Sequence, residues 1–474
     1  MTPRTAPIAL AAALLAAATA AIAEDWSRFR GPNGSGVSPS TGLPVEFGDE
    51  NRRWVTDVPF GRSSPVIGGD RIYLTAATEN ELLTLAVDRA SGEVLWQRGV
   101  TREHTADLHG ETDSATATAV TDGDNVYVFF HEAGLVSYDA AGRERWRKSL
   151  GSFRNYYGCA SSPIAAEGLV IVLCDQAAGS FLLAVDAGSG EERWRVERPA
   201  RLESYSTPIL YPATGTPTRI LVSGSRWVDA YDLATGESVW TVAAVGTGPV
   251  ASPVLTGDAL FVSAHDHADD GWPEFEPLLA EHDADEDGEL SPAEVEEVWL
   301  GNHFGWLDND ADGTLTASDW QRLRDEVVND TWGIFAIDLA AEDGPPRKLW
   351  NYRQNVPYIP SPVVYEGVYY MVKDGIVTAL DSDSGELLKR GRLPGTAKVH
   401  ASPVAADGKI YVSTLEGRID VLEAGADWKV LASSELGEPI RATPAILDGK
   451  IYVRTESRLW CFAADTADSE TALP

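Results

Sequence analysis

One unit recurs along the chain and restricts the fold more than any other feature. It runs Ser63-Ser64-Pro65-Val66, a glycine turn, Ile72-Tyr73-Leu74, then Ala86-Val87-Asp88, Ser91-Gly92 and Trp96. The same order returns at Ser162-Pro163, with Ala184-Val185-Asp186, Ser189-Gly190 and Trp194. It returns at Thr207-Pro208 with Ala230-Tyr231-Asp232 and Trp240, and at Ser252-Pro253 with Ala336-Ile337-Asp338 and Trp350. Ser361-Pro362 opens a copy with Asp381, Ser384-Gly385 and Lys389 where Trp is expected; Ser402-Pro403 and Thr443-Pro444 open two more. A variant copy carries Thr116-Ala117, Val126-Tyr127-Val128, Tyr138-Asp139, Gly142 and Trp146.

Each copy holds four short runs rich in Val, Ile, Tyr and Leu, separated by Gly and Asp turns, which is the pattern of four antiparallel strands. Asp407-Gly408 and Asp448-Gly449 suit two-residue hairpins. In Asp-x-x-Ser/Thr-Gly the carboxylate can accept from nearby backbone N–H groups while glycine takes the left-handed position. A tryptophan at a fixed place can wedge between neighbouring sheets. Four-stranded units of this length predict an all-β fold, a β-propeller. Counting copies gives eight blades. The last copy supplies only three strands, ending at Leu459-Trp460-Cys461-Phe462, and Arg53-Trp54-Val55-Thr56 resembles the missing outer strand. That N-terminal strand is expected to close the ring and remove the open edge.

The Ala-x-Asp-x-x-Ser/Thr-Gly-x-x-x-Trp unit resembles the tryptophan-docking repeat of the PQQ-binding-like eight-bladed propellers. That superfamily includes quinoprotein alcohol dehydrogenases and the outer-membrane assembly lipoprotein of the BamB type. The opening Trp26-Ser27-Arg28-Phe29-Arg30-Gly31-Pro32 is similar to the start of exported PQQ-like repeat proteins. The resemblance implies a fold; a packing repeat does not imply an activity.

The period breaks between Phe261-Val262-Ser263 and Ile334-Phe335-Ala336. Residues 266–330 hold 21 acidic and two basic side chains. Asp283, Asp285, Asp287, Gly288 and Glu294 occupy positions 1, 3, 5, 6 and 12 of an EF-hand loop; Asp308, Asp310, Asp312, Gly313 and Asp319 do so in a second. Ca²⁺ takes six to eight oxygens, so three carboxylates, a backbone carbonyl at Glu289 or Thr314, and a carboxylate at position 12 form a donor set. Asp319 is one methylene shorter than the usual Glu, which predicts a weaker second site. Leu290 and Leu315 stand at position 8, where paired loops exchange a β-bridge. Helices are expected over 273–282, 292–302 and 318–328. An insertion between the second and third strands of blade five should project from the face carrying the loop 101–113, as a structural staple more than a sensor.

Residues 1–23 read as a secretory signal peptide: Arg4, the apolar run Ile8 to Ala18, and Ala21-Ile22-Ala23 before the cleavage point. The chain carries 38 Lys+Arg against 72 Asp+Glu, a net charge of −34, which argues against nucleic acid as a partner. Three cysteines exclude a disulfide framework and a Cys-rich metal site. Cys159 and Cys174 flank one turn, where either a bridge or two free thiols fits. No Cys-Cys pair, C-x-x-C-H, G-x-S-x-G, H-E-x-x-H or P-loop occurs. His104, His109, Tyr156, Tyr157, His265, His267 and His400 gather in inter-blade loops and Asp175 follows a strand end, all read as solvated. Arg62, Arg226 and Arg441 fall at comparable positions at the channel mouth in three blades, where either binding of an anionic ligand or offset of the acidic rim fits.

The reading that emerges is an exported, periplasmic or secreted, eight-bladed propeller (24–265 and 331–465) with an EF-hand pair (266–330) and a disordered tail (466–474). It binds Ca²⁺ at two sites and acts as a binding or scaffolding module for a protein or cell-envelope ligand. It has no catalytic residues, is a monomer, and has no membrane span. The alternatives are a Ca²⁺-containing oxidoreductase using PQQ, a cofactor that is not favoured, and an assembly factor of the BamB type.

Overall fold

The computed structural model describes residues 25–464 except 103–107, 178, 200–202, 214, 244–245, 247, 265–272, 297, 299, 302–303, 305–306, 309–311, 328–331, 341–345 and 396. The expected signal peptide and disordered tail, with Asp310, His104, His265 and His267, lie outside the described residues.

Eight four-stranded antiparallel sheets follow one another around a ring. Blade one is Val66–Gly68, Arg71–Ala77, Glu81–Asp88 and Val94–Thr101, and the other blades repeat this order outward from the channel. A strand pressed between two sheets loses both faces to its neighbours, so the third strand of blade one is buried along its whole interior. Its outer strand is buried at only Trp96 and Val100. The expected closure is present: Arg52–Asp57 pairs antiparallel with Arg458–Ala463, with Val55 opposite Trp460.

The Ser/Thr of each Ser/Thr-Pro has a role that the repeat alone does not reveal. The N–H of Ser64 donates to Thr118 Oγ1 at 2.9 Å, and that of Thr118 to Ser162 Oγ at 3.0 Å. The pattern passes through Thr207, Ser252, Ser361 and Ser402 to Thr443, whose N–H returns to Ser64 Oγ at 2.9 Å. Eight buried bonds thus close a hoop around the hub. Each satisfies a backbone N–H that the inner strand's own ladder leaves unpaired.

Neighbouring blades also meet at the docking tryptophans. Trp96 Nε1 donates to the carbonyl of Ala140 at 3.0 Å, and Trp146 to that of Ala187 at 3.1 Å. The ring lies against the turn glycine; a Cβ on Gly142 would stand 2.6 Å from Trp96. Asp88 Oδ1 accepts from the N–H groups of Ala90 and Ser91 and from Ser91 Oγ, as the turn motif predicts. At Lys389 the partners are exchanged. Its ammonium donates to the Trp428 carbonyl at 2.7 Å, and the indole comes from blade seven, packing on Gly391.

The N-terminal segment does more than close the ring. Trp26 and Ser27 offer carbonyls to Ile67 and Thr121 of blades one and two. Asn33 pairs through its side chain with both backbone groups of Leu210 in blade four, and Val37 bridges Ala405 of blade seven. Arg28 and Arg30 reach in to the carbonyls of Pro208 and Pro362. This strap therefore spans the channel at the face of the first-to-second strand turns. The opposite face, where the inter-blade links run, is called the mouth.

Three helices are described in the insertion: α1 (Phe275–His282), α2 (Pro292–Val295) and α3 (Ala317–Val327). They enclose a small core of their own, with Phe275, Leu290, Val295, Leu307, Leu315 and Trp320 buried. Trp320 Nε1 donates to the Pro273 carbonyl at 2.9 Å. The insertion leaves blade five between its second and third strands, on the mouth side. Among the described residues no helix is long and apolar enough to cross a membrane.

Candidate functional site

Two residues before each hoop hydroxyl, the chain lines the mouth. Arg62, His400 and Arg441 occupy this position in blades one, seven and eight. Thr116, Ala160, Val250 and Ile359 occupy it in blades two, three, five and six, and Tyr205 in blade four. All eight blades thus contribute to one cavity of about 130 Å³, together with Glu111, Thr112, Tyr157 and Tyr358. Its walls differ in character because the link residues differ while the strands beneath them repeat.

One wall is cationic. Arg441 Nη1 lies 2.5 Å from Glu111 Oε2 and 3.1 Å from His400 Nδ1, and its Nε lies 3.5 Å from Glu456. Arg62 donates to the Gly110 carbonyl at 3.0 Å and stands 3.8 Å from Asp113. The Arg441 hydrogen bond holds the Glu111 carboxyl below its ordinary range. Burial, with Arg441 and Arg62 nearby, lowers His400, although Glu111 opposes this.

The facing wall is aromatic. Tyr157 makes an edge-to-face contact with Tyr205, centroids 5.3 Å apart, and lies 6.5 Å from Tyr358. His109 and Tyr156 extend the cluster, their ring centroids 5.0 Å apart. Beneath it Glu203 is 5% exposed, accepting from Tyr205 Oη at 2.8 Å and from the Tyr156 N–H at 2.9 Å. Burial pushes its carboxyl up to about 7 despite these bonds. A raised acid favours the folded state in its neutral form, so this contribution is complete below the unfolded value near 4.5 and is lost as pH rises through 7. Wild-type stability should therefore fall by about 3 kcal/mol between pH 4.5 and 8 at this group. Glu203→Gln should flatten that part of the profile in urea titrations. An unchanged slope would assign it to other residues.

Several expectations need correction. Arg62 and Arg441 share the mouth position, but Arg226 does not; it sits with φ 67° in the turn before Trp227, its guanidinium 6.0 Å from that ring. Asp175 is not solvated. It is 1% exposed and bound bidentately by Arg198 at 2.7 and 3.0 Å. Tyr156, Tyr157 and His400 are half-buried. Cys159, Cys174 and Cys461 are free thiols, so no bridge forms, and Cys159 is half-buried, not enclosed. Tyr205, Tyr358, Glu111 and Glu203 escaped the sequence reading. Counting two residues back from each Ser/Thr-Pro hydroxyl would have found Tyr205 and every ring position except Thr116, since Thr118 precedes Ala119.

The second site is in the insertion. Oxygens of Asp283, Asp285 and Asp287 lie within 4.8 Å of one another. Asp283 accepts from the Asp287 and Gly288 N–H groups, and Glu294 from those of Ala284 and Ser291. The Ser291 N–H and hydroxyl, with the Ala284 N–H, hold Glu294 down to about 2. In the second loop Asp308 accepts from Gly313 N–H, Asp312 from Thr314 N–H, and Asp319 from both donors of Thr316. Leu290 and Leu315 exchange both backbone hydrogen bonds, at 3.0 and 2.8 Å, as paired loops do. Glu289 is half-buried, and its N–H donates to Asp287 Oδ1 at 2.9 Å.

The model of the family described as outer membrane protein assembly factor BamB matches residues 43–172, 79–319 and 178–471. The chain belongs to this family. BamB of Burkholderia pseudomallei (strain K96243) is 23% identical over 431 residues, covering 87% of the chain and 96% of that protein. A serine/threonine-protein kinase, AfsK of Streptomyces griseus, is 30% identical over 173 residues, spanning 35% of the chain but only 20% of the kinase. Among solved structures, BamB from Moraxella catarrhalis superposes with a TM-score of 0.54 at 14% identity, covering 87% of the chain and 98% of its own. Quinohemoprotein alcohol dehydrogenase from Comamonas testosteroni gives 0.60 at 12%, covering 93% and 80%. These likenesses concern the fold. BamB-family membership fits a ring whose repeated residues pack blades together and whose links vary.

Proposed function

We propose that this BamB-family propeller is an exported, calcium-braced scaffold that docks a protein partner on its mouth face in the periplasm or at the cell envelope. The observation that carries the reading is the asymmetry of the two faces. The strap spans one end of the channel, whereas the other end gathers a differentiated residue from every blade and carries the inserted helices. Family membership and the signal-like residues 1–23 support export and partner binding. A photo-crosslinking residue at Thr112 or Lys398, on mouth links, should yield a discrete envelope-protein adduct in cells. The same probe at Ser91, on the strap side, should not. Adducts from Ser91 alone, or from none of the three, would refute the reading.

The loop donor sets fit Ca²⁺. Carboxylates converge in the first loop, and in the second Asp308 Oδ1 is buried without a hydrogen-bond partner among the described residues. Asp283, Asp285, Asp287, Glu294, and the carbonyl of Glu289 would hold one ion. Asp308, Asp310, Asp312, Asp319 and the carbonyl of Thr314 would hold the other. A bound ion supplies positive charge that offsets repulsion among these carboxylates. Ca²⁺ at 1 mM and a Kd of about 10⁻⁴ M should stabilise the insertion by about 1.4 kcal/mol per site. Chelation should therefore lower the transition followed by Trp320 fluorescence, and Asp283→Ala with Asp308→Ala should abolish the shift. A transition indifferent to chelator would remove calcium from the account.

A quinone fits less well. The mouth cavity of about 130 Å³ is well under the ~300–1,000 Å³ usual for ligand pockets. No redox step follows from these residues.

A further inference from the structure

The mouth cavity has the size of one ring and the chemistry of one carboxylate. A cavity of about 150 Å³ is known to accept benzene, and this one measures about 130 Å³. Tyr157, Tyr205 and Tyr358 wall one side, already arranged edge-to-face and tilted, the geometries in which a further ring packs well. Across from them the guanidinium of Arg441 is met by a carboxylate of the protein itself. Glu111 Oε2 lies 2.5 Å from Arg441 Nη1 and 3.6 Å from His400 Nδ1. The Glu111 side chain is 45% exposed, on an inter-blade link, so little packing holds it there. Arg62, beside this pair, has Nε and Nη1 buried with no hydrogen-bond partner among the described residues.

We propose that the mouth binds a small single-ring aromatic carboxylate, whose ring enters the tyrosine wall and whose carboxylate displaces Glu111 from Arg441 and engages Arg62. Glu111 is then an internal stand-in that keeps the arginines paired when the ligand is absent. Binding exchanges one carboxylate for another and adds donors from Arg62 that are otherwise unsatisfied. The inference is independent of the scaffold reading, since a ligand seated here neither requires nor forbids a protein on the rim.

The probes are 3-phenylpropanoate and its uncharged amide, titrated calorimetrically and by ligand-observed NMR into the full propeller. The acid should bind and the amide should not. Glu111→Gln removes the competing carboxylate and should tighten the acid by about tenfold, the worth of one charge-assisted hydrogen bond. Arg441→Gln and Tyr157→Ala should each abolish binding, with circular dichroism melts confirming that the variants fold. A tightening variant cannot be explained by damage to the fold. Equal binding of acid and amide, no binding of either, or a Glu111→Gln protein that binds no better than wild type would each overturn the proposal.

Discussion

Arg198→Met is expected to destabilise the propeller by about 3–5 kcal/mol, a large share of the ~5–15 kcal/mol that holds a typical domain folded. Arg198 is 3% exposed and links blades three and four. It grips Asp175 with two hydrogen bonds and Asp229 Oδ2 at 3.0 Å, and also donates to Tyr231 Oη. The side chains of both aspartates are essentially inaccessible. Removing the cation leaves two carboxylates in a poorly polarisable interior, where Ser204 Oγ donates to Asp175 and Thr241 Oγ1 to Asp229. The cost arises from uncompensated charge, so removing the charge of the aspartates should relieve it. Adding Asp175→Asn and Asp229→Asn to Arg198→Met should recover much of the loss. Urea titrations of the single and triple variants at pH 8 check this. A single-variant loss below about 1 kcal/mol at pH 8 would show that the three charges are not a coupled unit.

Trp54→Ala should cost about 3–5 kcal/mol and should do so at the seam of the ring. Trp54 docks on blade one as the other tryptophans dock on their neighbours. Its Nε1 donates to the Arg89 carbonyl at 3.2 Å, and its ring lies where a Cβ on Gly92 would stand 2.7 Å away. Thr56 Oγ1 adds a bond to the Gly92 carbonyl at 2.6 Å. The strand that carries both pairs with the last sheet, where Trp54 also packs on Tyr452, and meets the first sheet through this contact. Weakening it frees a sheet edge of the kind that pairs with other chains. Lower urea stability together with concentration-dependent association in size-exclusion chromatography is therefore expected. Val55→Thr, on the same strand but 40% exposed, should change stability by less than about 0.5 kcal/mol. Equal effects of the two substitutions would mean that the seam is not held by the indole.

The blade count, the strand pattern and the turn chemistry were legible because each depends on contacts within one repeated unit, and the closing strand because Arg53-Trp54-Val55-Thr56 resembles the outer strand that the last unit lacks. A period-2 apolar run and an Asp-x-x-Ser-Gly turn determine local backbone whatever lies beyond. The two acidic turns and the Leu290–Leu315 bridge between them follow the same rule, since each turn is built from consecutive residues. Lys389 shows where local reading ends. It occupies the tryptophan position, yet the indole that fills the gap comes from Trp428 on the next blade.

The mouth was the least legible part. His400 and Arg441 could be named as loop residues, but nothing local says that Glu111, some 290 residues earlier, sits on both. Asp175 carries no mark of burial, because its partner Arg198 follows by 23 residues and Asp229 lies in the next blade. The strap is the same case, since Arg28 and Arg30 look like exposed cations until the ring brings Pro208 and Pro362 around to meet them. By itself the sequence determined a wheel of eight sheets with an acidic two-loop insert. Only the tertiary structure decided which of its charged side chains are buried, which carboxylate meets which arginine, and which face stays open. Strands and turns follow from neighbours along the chain, whereas desolvation and ion pairing depend on what closure of the ring places beside each group.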